Sequence, residues 1–332
     1  MADKPVICVT PIKNEEWILD RFIKCTLTWA DEIVIADQGS SDKSVQIARS
    51  FPHVTVIRNE SGVYDEGERQ RLLLKEARKI STDAIIFALD ADEFLSANVL
   101  TSPEWKSLLQ SPRGTAIALQ PFNVAGRDGR GWMTGGSGVL GFVDDGSAHQ
   151  GTQIHSVRVP VSETNPKLSL QEIVLLHYQY VDWNRMRSKH RWYECWEVIN
   201  HPDRPFIKIY RQYHHMDSID PASFQPMKEE WLHAYEKAGI DMTFAATEDR
   251  YWWDDEVYAW MKKYGAAKFK RCDIWYKDWN TLKPSSEKSD TQLIRDPRSA
   301  FDKAMQYYLR LTQGRHHTFL IKAMDRFLRI IW

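Results

Sequence analysis

Between Pro5 and Asp90 four short apolar runs alternate with three segments of helical spacing, and this alternation restricts the fold more than any other feature of the chain. The runs are residues 5–10 (PVICVT), 32–37 (EIVIAD), 54–58 (VTVIR) and 84–90 (AIIFALD). Between them, residues 14–29 place Trp17, Ile18, Phe22, Ile23 and Leu27 on one face, residues 40–51 open with a serine/aspartate cap, and residues 65–80 form a third helical segment. Strands that are apolar nearly throughout are buried on both faces, so the pattern predicts an α/β fold, a mostly parallel sheet flanked by helices. Ligands of such sheets bind beyond the carboxyl ends of the strands, and the residues that follow each strand are therefore the informative ones.

After the first run comes TPIKNEE, residues 10–16, with no glycine-rich turn through which a backbone could approach a pyrophosphate. This counts against NAD, FAD and S-adenosylmethionine. After the second run, Asp37 in ADQGSSDKS stands where a carboxylate can accept from a base or ribose, while Ser41 and Asp42 are accounted for as a helix cap. The fourth run ends in Asp90, Asp92 and Glu93. In an extended segment Asp90 and Asp92 point the same way and converge on one hard cation, with Glu93 on the opposite side. A phosphatase of the haloacid dehalogenase kind would carry this motif after its first strand, where the chain has Thr10-Pro11 instead.

Farther along, residues 116–124 and 172–180 read as strands. The glycine-rich stretch 126–151 reads as a mobile loop, and from about Asp182 the chain is rich in Trp, Tyr, Arg and Lys. Charge is uneven. From Met261 onward there are 16 Lys/Arg against 7 Asp/Glu, and the remainder has 28 against 38. A basic C-terminal region suits an anionic partner, whether a membrane surface, a phosphorylated substrate or the acidic first part of the chain itself. The last 16 residues, HTFLIKAMDRFLRIIW, suit an interfacial helix, a dimer contact or docking onto the catalytic domain. Four scattered cysteines form neither a disulfide framework nor a zinc site, and the amino terminus lacks the pattern of a signal peptide. Both features lead to the expectation of a cytoplasmic protein, either free or held at the inner face of the cell membrane.

Taken in order, residues 9–48 and 58–93 resemble the GT-A glycosyltransferases of family 2, which show a Pro-x-x-Asn-Glu turn, an Asp-x-Gly-Ser-x-Asp turn and a terminal DxD. Residues 176–193, LHYQYVDWNRMRSKHRWY, extend the likeness toward bacterial surface-polysaccharide members, with a His-Tyr pair followed by Lys-x-x-x-Tyr. The resemblance implies a GT-A, Rossmann-like catalytic domain over residues 1–215. A mainly helical, Trp-rich basic extension over 216–332 would serve acceptor, membrane-surface or dimer contacts.

The resemblance also assigns residues. Pro11, Asn14 and Glu15 would line the nucleotide pocket, with Asp37 on the base, usually uracil. Glu66, Arg69 and Gln70 would border the nucleotide and diphosphate. Asp90 would lie near ribose and metal, and Asp92 would be the direct ligand of Mn²⁺ or Mg²⁺. His177 is either a third ligand or a partly buried histidine bonded to backbone. Lys189 and Tyr193 would hold the leaving diphosphate, or else belong to an exposed helix face. The general base departs from the family's pattern: Asp145 and His155 rank first, then Asp144, with Glu172 a distant fourth. Asp144-Asp145-Gly146 also reads as a simple turn.

The expected activity is metal-dependent, inverting transfer from a nucleotide-diphosphate sugar, expected to be UDP-linked, to a glycan or lipid-linked acceptor in building a cell-envelope polysaccharide. Nucleic acid is not an expected partner. The alternatives are a sugar nucleotidyltransferase, for which TPIKNEE is a poor phosphate loop, and a non-catalytic glycan-binding or membrane-associated scaffold on a degenerate transferase fold.

Overall fold

All four expected strands form. β1 (Val6–Ile12), β2 (Glu32–Asp37), β3 (Val54–Arg58) and β4 (Ile85–Ala88) lie parallel in the order β4-β1-β2-β3. The computed structural model describes residues 4–59, 64–126, 129–243, 250–283 and 293–332. Between the strands run α1 (Leu19–Thr26), α2 (Ser44–Arg49) and α3 (Glu66–Ile80). Alternate strand residues divide between two cores. Cys8, Ile33, Ile35, Ile85 and Phe87 join α1 on one face, and Ile7, Val9, Val34 and Ile86 pack with Leu73, Leu74 and Ala77 of α3 on the other. The sheet is buried on both faces, as its near-continuous apolar strands require.

Beyond β4 the sequence pattern misleads. β5 (Glu93–Leu95) follows at once, and α4 (Pro103–Leu109) comes next. The single strand expected over 116–124 breaks at Gln120 into β6 (Ala116–Leu119) and β7 (Pro121–Ala125), which belong to different sheets. The glycine-rich stretch is not one loop, for it contains β8 (Arg130–Met133) and β9 (Gly138–Val143). Its glycines serve close packing: a Cβ at Gly141 would lie 2.9 Å from the Phe87 ring, and one at Gly131 would collide with the Asn123 carbonyl. β10 (Lys167–Ser169) and β11 (Leu175–Tyr180) follow. The large sheet is thus β10-β6-β9-β4-β1-β2-β3, with β9 antiparallel to both its neighbours. The smaller sheet is β12-β8-β7-β11-β5, where β12 is Gln225–Pro226.

From the end of β9 the chain returns along α3 as a strap. At the carboxyl end of the helix Arg78 makes a two-pronged contact with Asp144, at 2.9 and 2.8 Å. At its amino end the Glu66 and Gly67 N–H groups donate to the Gln153 and Thr152 carbonyls, closing donors that a helix leaves open. The helix spans about 22 Å, so residues 144–156 run its full length.

Two compact units result: Met1–Asp182 with Phe224–Thr247, and Trp183–Ser223 with Glu248–Trp332. The division falls at Asp182, not at the expected 215. Residues 224–243 return to the first unit, where β12 joins the smaller sheet and Trp231, Tyr235 and Met242 enter the core. The short helix α7 (His233–Lys237) lies in this return. The second unit is helical, with α5 (Trp183–Asn200), α6 (Phe206–Tyr213), α8 (Trp252–Tyr264), α9 (Ala300–Thr312) and α10 (Phe319–Ile331). Buried ion pairs fasten it: Arg191 of α5 to Asp254 of α8, and Arg211 of α6 to Asp325 of α10. Among the described residues no helix is long and apolar enough to cross a membrane.

The strap rests on a backbone contact that tolerates no side chain. A Cβ at Gly67 would lie 2.7 Å from the Gly151 carbonyl oxygen. Gly67→Ala should cost about 1–3 kcal/mol in denaturant unfolding, whereas Gly135→Ala, facing open space, should be nearly neutral. Equal effects of the two would show that the strap is not seated on α3.

Candidate active site

The carboxyl ends of β1, β2 and β4 converge, and their loops are laced together. Asn14 adopts a positive φ of 57°, a conformation asparagine tolerates better than most residues. Its N–H donates to Ser40 Oγ at 2.9 Å, and its Oδ1 accepts from the Ser41 N–H at 2.7 Å. The Glu15 and Glu16 N–H groups donate to Ser44 Oγ and Asp42 Oδ2. Glu15 also accepts from the Trp17 indole, at 2.7 Å. The Asn-Glu turn therefore builds the wall it was expected to line. Pro11 is buried within β1.

Asp37 ends β2, with its Oδ1 accepting from the Ser40 N–H at 3.0 Å. Next to it Gln38 accepts from Arg69 of α3 at 3.2 Å, which brings the first turns of α3 to this edge. Glu66 accepts from the Tyr64 hydroxyl and the Ser156 N–H, so it fixes the strap. Gln70 is buried, and its Oε1 has no hydrogen-bond partner among the described residues.

The DxD segment is a turn, not an extended strand end, and this overturns the expected side-chain directions. The Glu93 N–H donates to the Asp90 carbonyl, and the Asp90 N–H donates to Glu93 Oε2 at 2.8 Å. Arg158 closes the cluster. It donates to Asp90 Oδ2 at 2.9 Å and to both oxygens of Glu93, at 2.8 and 3.0 Å. Glu93 thus shares a partner with Asp90 instead of facing away. Burial pushes the Glu93 carboxyl above its usual range and Arg158 opposes that shift; Arg158 itself is pushed up because Asp90 and Glu93 outweigh its own burial.

Asp92 faces another way. Its Oδ1 lies 3.7 Å from His177 Nε2, because antiparallel pairing of β11 with β5 sets His177 opposite Glu93. Burial lowers the His177 pKa, but Asp92, Glu93 and Asp90 together more than offset it and the net shift is upward. Among the described residues no group of three or more His, Cys, Asp or Glu is arranged to hold a metal. The expected set of Asp90, Asp92 and His177 is divided, with Asp90 on Arg158 and only Asp92 and His177 facing each other. That oxygen–nitrogen pair fits a cation that keeps its other positions for water and phosphate oxygens.

The base candidates separate by strand direction. β9 is antiparallel to β4, with Val143 paired to Ile85, so Asp144 and Asp145 emerge at the amino edge of the parallel strands, opposite the edge that carries Asp37 and Asp92. Asp144 is fully buried on Arg78, and Asp145 accepts from the Ser147 N–H at 2.9 Å. His155, with φ 54°, is exposed on the strap one residue before the Ser156 that bonds Glu66. Glu172 accepts from Ser102 Oγ at 2.7 Å, just before α4. Lys189 and Tyr193 belong to α5 of the second unit. There the Lys189 ammonium lies 5.8 Å from the Trp253 ring centre, and Tyr193 stacks on Tyr213.

Residues 7–116 match the sequence family described as glycosyl transferase family 2. Over residues 7–116 the first unit is thus similar to a family 2 glycosyltransferase domain. Its architecture is the expected GT-A-like one, a mostly parallel α/β sheet followed by a helical C-terminal region. Among solved structures, glucosyl-3-phosphoglycerate synthase from Mycobacterium tuberculosis, in complex with Mn²⁺, UDP and phosphoglyceric acid, is 20% identical with a TM-score of 0.26. The match covers 38% of this chain and 45% of that one. A 4-diphosphocytidyl-2C-methyl-D-erythritol synthase is 14% identical with a TM-score of 0.27, over 36% of this chain and 61% of that one. The chain thus spans less than two thirds of either protein. No curated protein matches.

Arg158 is the site residue that sequence reasoning missed. Its one signal is a lone cation inside the otherwise apolar run Val157-Arg158-Val159. Arg158→Met should destabilise the first unit by about 3 kcal/mol or more in denaturant unfolding, since it removes the two-pronged charge partner of the buried Glu93 carboxylate. The double variant with Glu93→Gln should recover part of the loss, and no recovery would refute the pairing.

Proposed function

We propose that the glycosyltransferase domain transfers a sugar from a nucleotide-diphosphate donor, UDP-linked, to a glycan or lipid-linked acceptor of a bacterial cell-envelope polysaccharide, with inversion at the anomeric carbon. The observation that carries this reading is the Asp92–His177 pair at the same strand edge as Asp37 and Arg69. Asp37 Oδ2 accepts no described bond and is available to a base or ribose. Arg69, one turn into α3, supplies positive charge for the diphosphate. Asp92 and His177 would hold Mn²⁺ or Mg²⁺, which when bound supplies Lewis-acid stabilisation of the leaving diphosphate. Arg158 holds Asp90 and Glu93 in place, so that Asp92 keeps its aim. His155 is the base candidate on the correct edge, with acceptor hydroxyl deprotonation as its role.

Asp92→Ala should lower transfer at least about a hundredfold while the far-ultraviolet circular dichroism is unchanged. In wild type a thermal-shift screen of UDP-, GDP-, dTDP- and CMP-sugars with and without Mn²⁺ should single out a UDP-sugar that stabilises only with the cation. Full activity in excess chelator would refute the metal-dependent reading, and a larger shift with another nucleotide would reassign the donor.

The second unit supports a peripheral membrane contact. On α10, Phe319, Leu320 and Ile330 are 83%, 77% and 80% exposed, and Phe327, Met324 and Ile331 are exposed on the same side. At about 100° per residue these six fall within one arc of about 140°, while Lys322, Arg326 and Arg329 fall together on its flank. The occupant we assign to this face is an anionic lipid surface at the inner face of the cell membrane, because apolar insertion and basic attraction then act together. The protein should sediment with phosphatidylglycerol-containing vesicles at low salt, weakly with phosphatidylcholine alone, and Leu320→Asp with Ile330→Asp should abolish it. A dimer in analytical ultracentrifugation that the same substitutions break, with no vesicle binding, would give the face to a second copy instead.

A further inference from the structure

The second unit holds a cavity of about 390 Å³ of its own. Arg187, His190, Arg191 and Glu194 line it from one face of α5, at the i, i+3, i+4 and i+7 positions that share a helix side. Opposite them stand His214, Asp217, Asp273, Tyr276 and Arg310. The volume is within the range of small-ligand sites.

Its floor is an ordered chain of polar groups. Glu194, 1% exposed, accepts from the Asp273 N–H at 3.1 Å, and its other oxygen lies 3.3 Å from His214 Nδ1. His214 Nε2 lies 3.4 Å from Asp273 Oδ2. Arg191 donates to the Tyr276 hydroxyl at 2.7 Å. Glu194 Oε1 makes no hydrogen bond among the described residues, and His190 is a second open group. It is 7% exposed, lines the cavity, and has no hydrogen-bond partner among the described residues. Burial holds it well below the ordinary histidine range, so it is neutral, with one nitrogen donating and one accepting. A donor–acceptor pair left open on the wall of a polar cavity points to a ligand that supplies both partners.

The charges say what kind of ligand. Each arginine in the wall already faces a carboxylate: Arg187 has Asp217, Arg191 has Asp254 and Arg310 has Asp273. No cation is left over to select a phosphate. What remains is a set of planar donors and acceptors beside the aromatic faces of Tyr213 and half-exposed Tyr276. Hydroxyl groups both donate and accept, and the C–H faces of a pyranose pack on aromatic rings. We propose that this cavity is a second ligand site of the chain, one that binds a neutral saccharide. The site would bind its sugar whether or not the first unit transfers one.

The test is saturation-transfer difference NMR on the full chain without nucleotide. The probes are glucose, galactose, mannose, N-acetylglucosamine and rhamnose, together with glucose 6-phosphate and inorganic phosphate. At least one neutral sugar should give a signal that persists in Asp92→Ala, disappears in His190→Phe, and weakens in affinity by at least about tenfold in Tyr276→Ala. Melting temperatures would check folding, and Tyr276, at the exposed mouth, is the variant that leaves the core intact. The proposal is overturned if no neutral sugar gives a signal at millimolar concentration. It is equally overturned if the signal survives both second-unit variants, if Asp92→Ala removes it, or if inorganic phosphate displaces it. Loss of transfer activity alone would bear on the first unit and leave this site standing.

Discussion

The first unit's site depends on one buried ion pair. Glu93 is 3% exposed, and a carboxylate so placed carries a desolvation cost of several kcal/mol unless a partner of good geometry meets it. Arg158 meets both of its oxygens and reaches Asp90 with the same guanidinium. Glu93 in turn holds the Asp90 N–H. The turn between β4 and β5 is thereby closed on three sides, and His177 Nε2 lies 3.7 Å from Asp92 and 3.9 Å from Glu93. The pair thus acts as a fixture for the turn that carries Asp90, Asp92 and Glu93.

That fixture comes from a long way off in sequence, and the strap explains how. β9 enters the sheet antiparallel and delivers the chain to the amino edge, where Asp144 is captured by Arg78. The chain must then travel the length of α3 to return. It does so under backbone contacts to Glu66 and Gly67 too close for a side chain, and it arrives with His155 and Arg158 at the functional edge. Much of a segment that read as mobile loop is therefore a measured span between two ends of one helix.

The sheet was legible because strand burial on both faces writes itself as continuous apolar sequence, and the order of turns after β1, β2 and β4 identified the edge that matters. Asp37, Arg69, Asp92 and His177 are brought to that edge from four separate elements. The side-chain directions were not legible. The reasoning that Asp90 and Asp92 share a side assumed an extended backbone, and a two-residue turn between β4 and β5 removes that assumption. Asp144 and Asp145 looked like bases because sequence distance from the DxD cannot reveal strand polarity. The glycine run looked like loop because glycine's absence of a side chain reads as freedom, whereas at Gly131 and Gly141 it serves close packing against Asn123 and Phe87.

Sequence alone determined the α/β class, the transferase resemblance and the amphipathic character of the last helix, since each is carried by local periodicity or by short motifs in fixed order. Tertiary structure alone decided that Arg158 holds Asp90 and Glu93, that His177 meets Asp92, that the units divide at Asp182, and that a polar cavity lies among α5, α6 and α9. These are contacts between residues tens of positions apart. Their partners are chosen by strand polarity, turn geometry and the need to satisfy buried charge, none of which leaves a periodic trace in the chain.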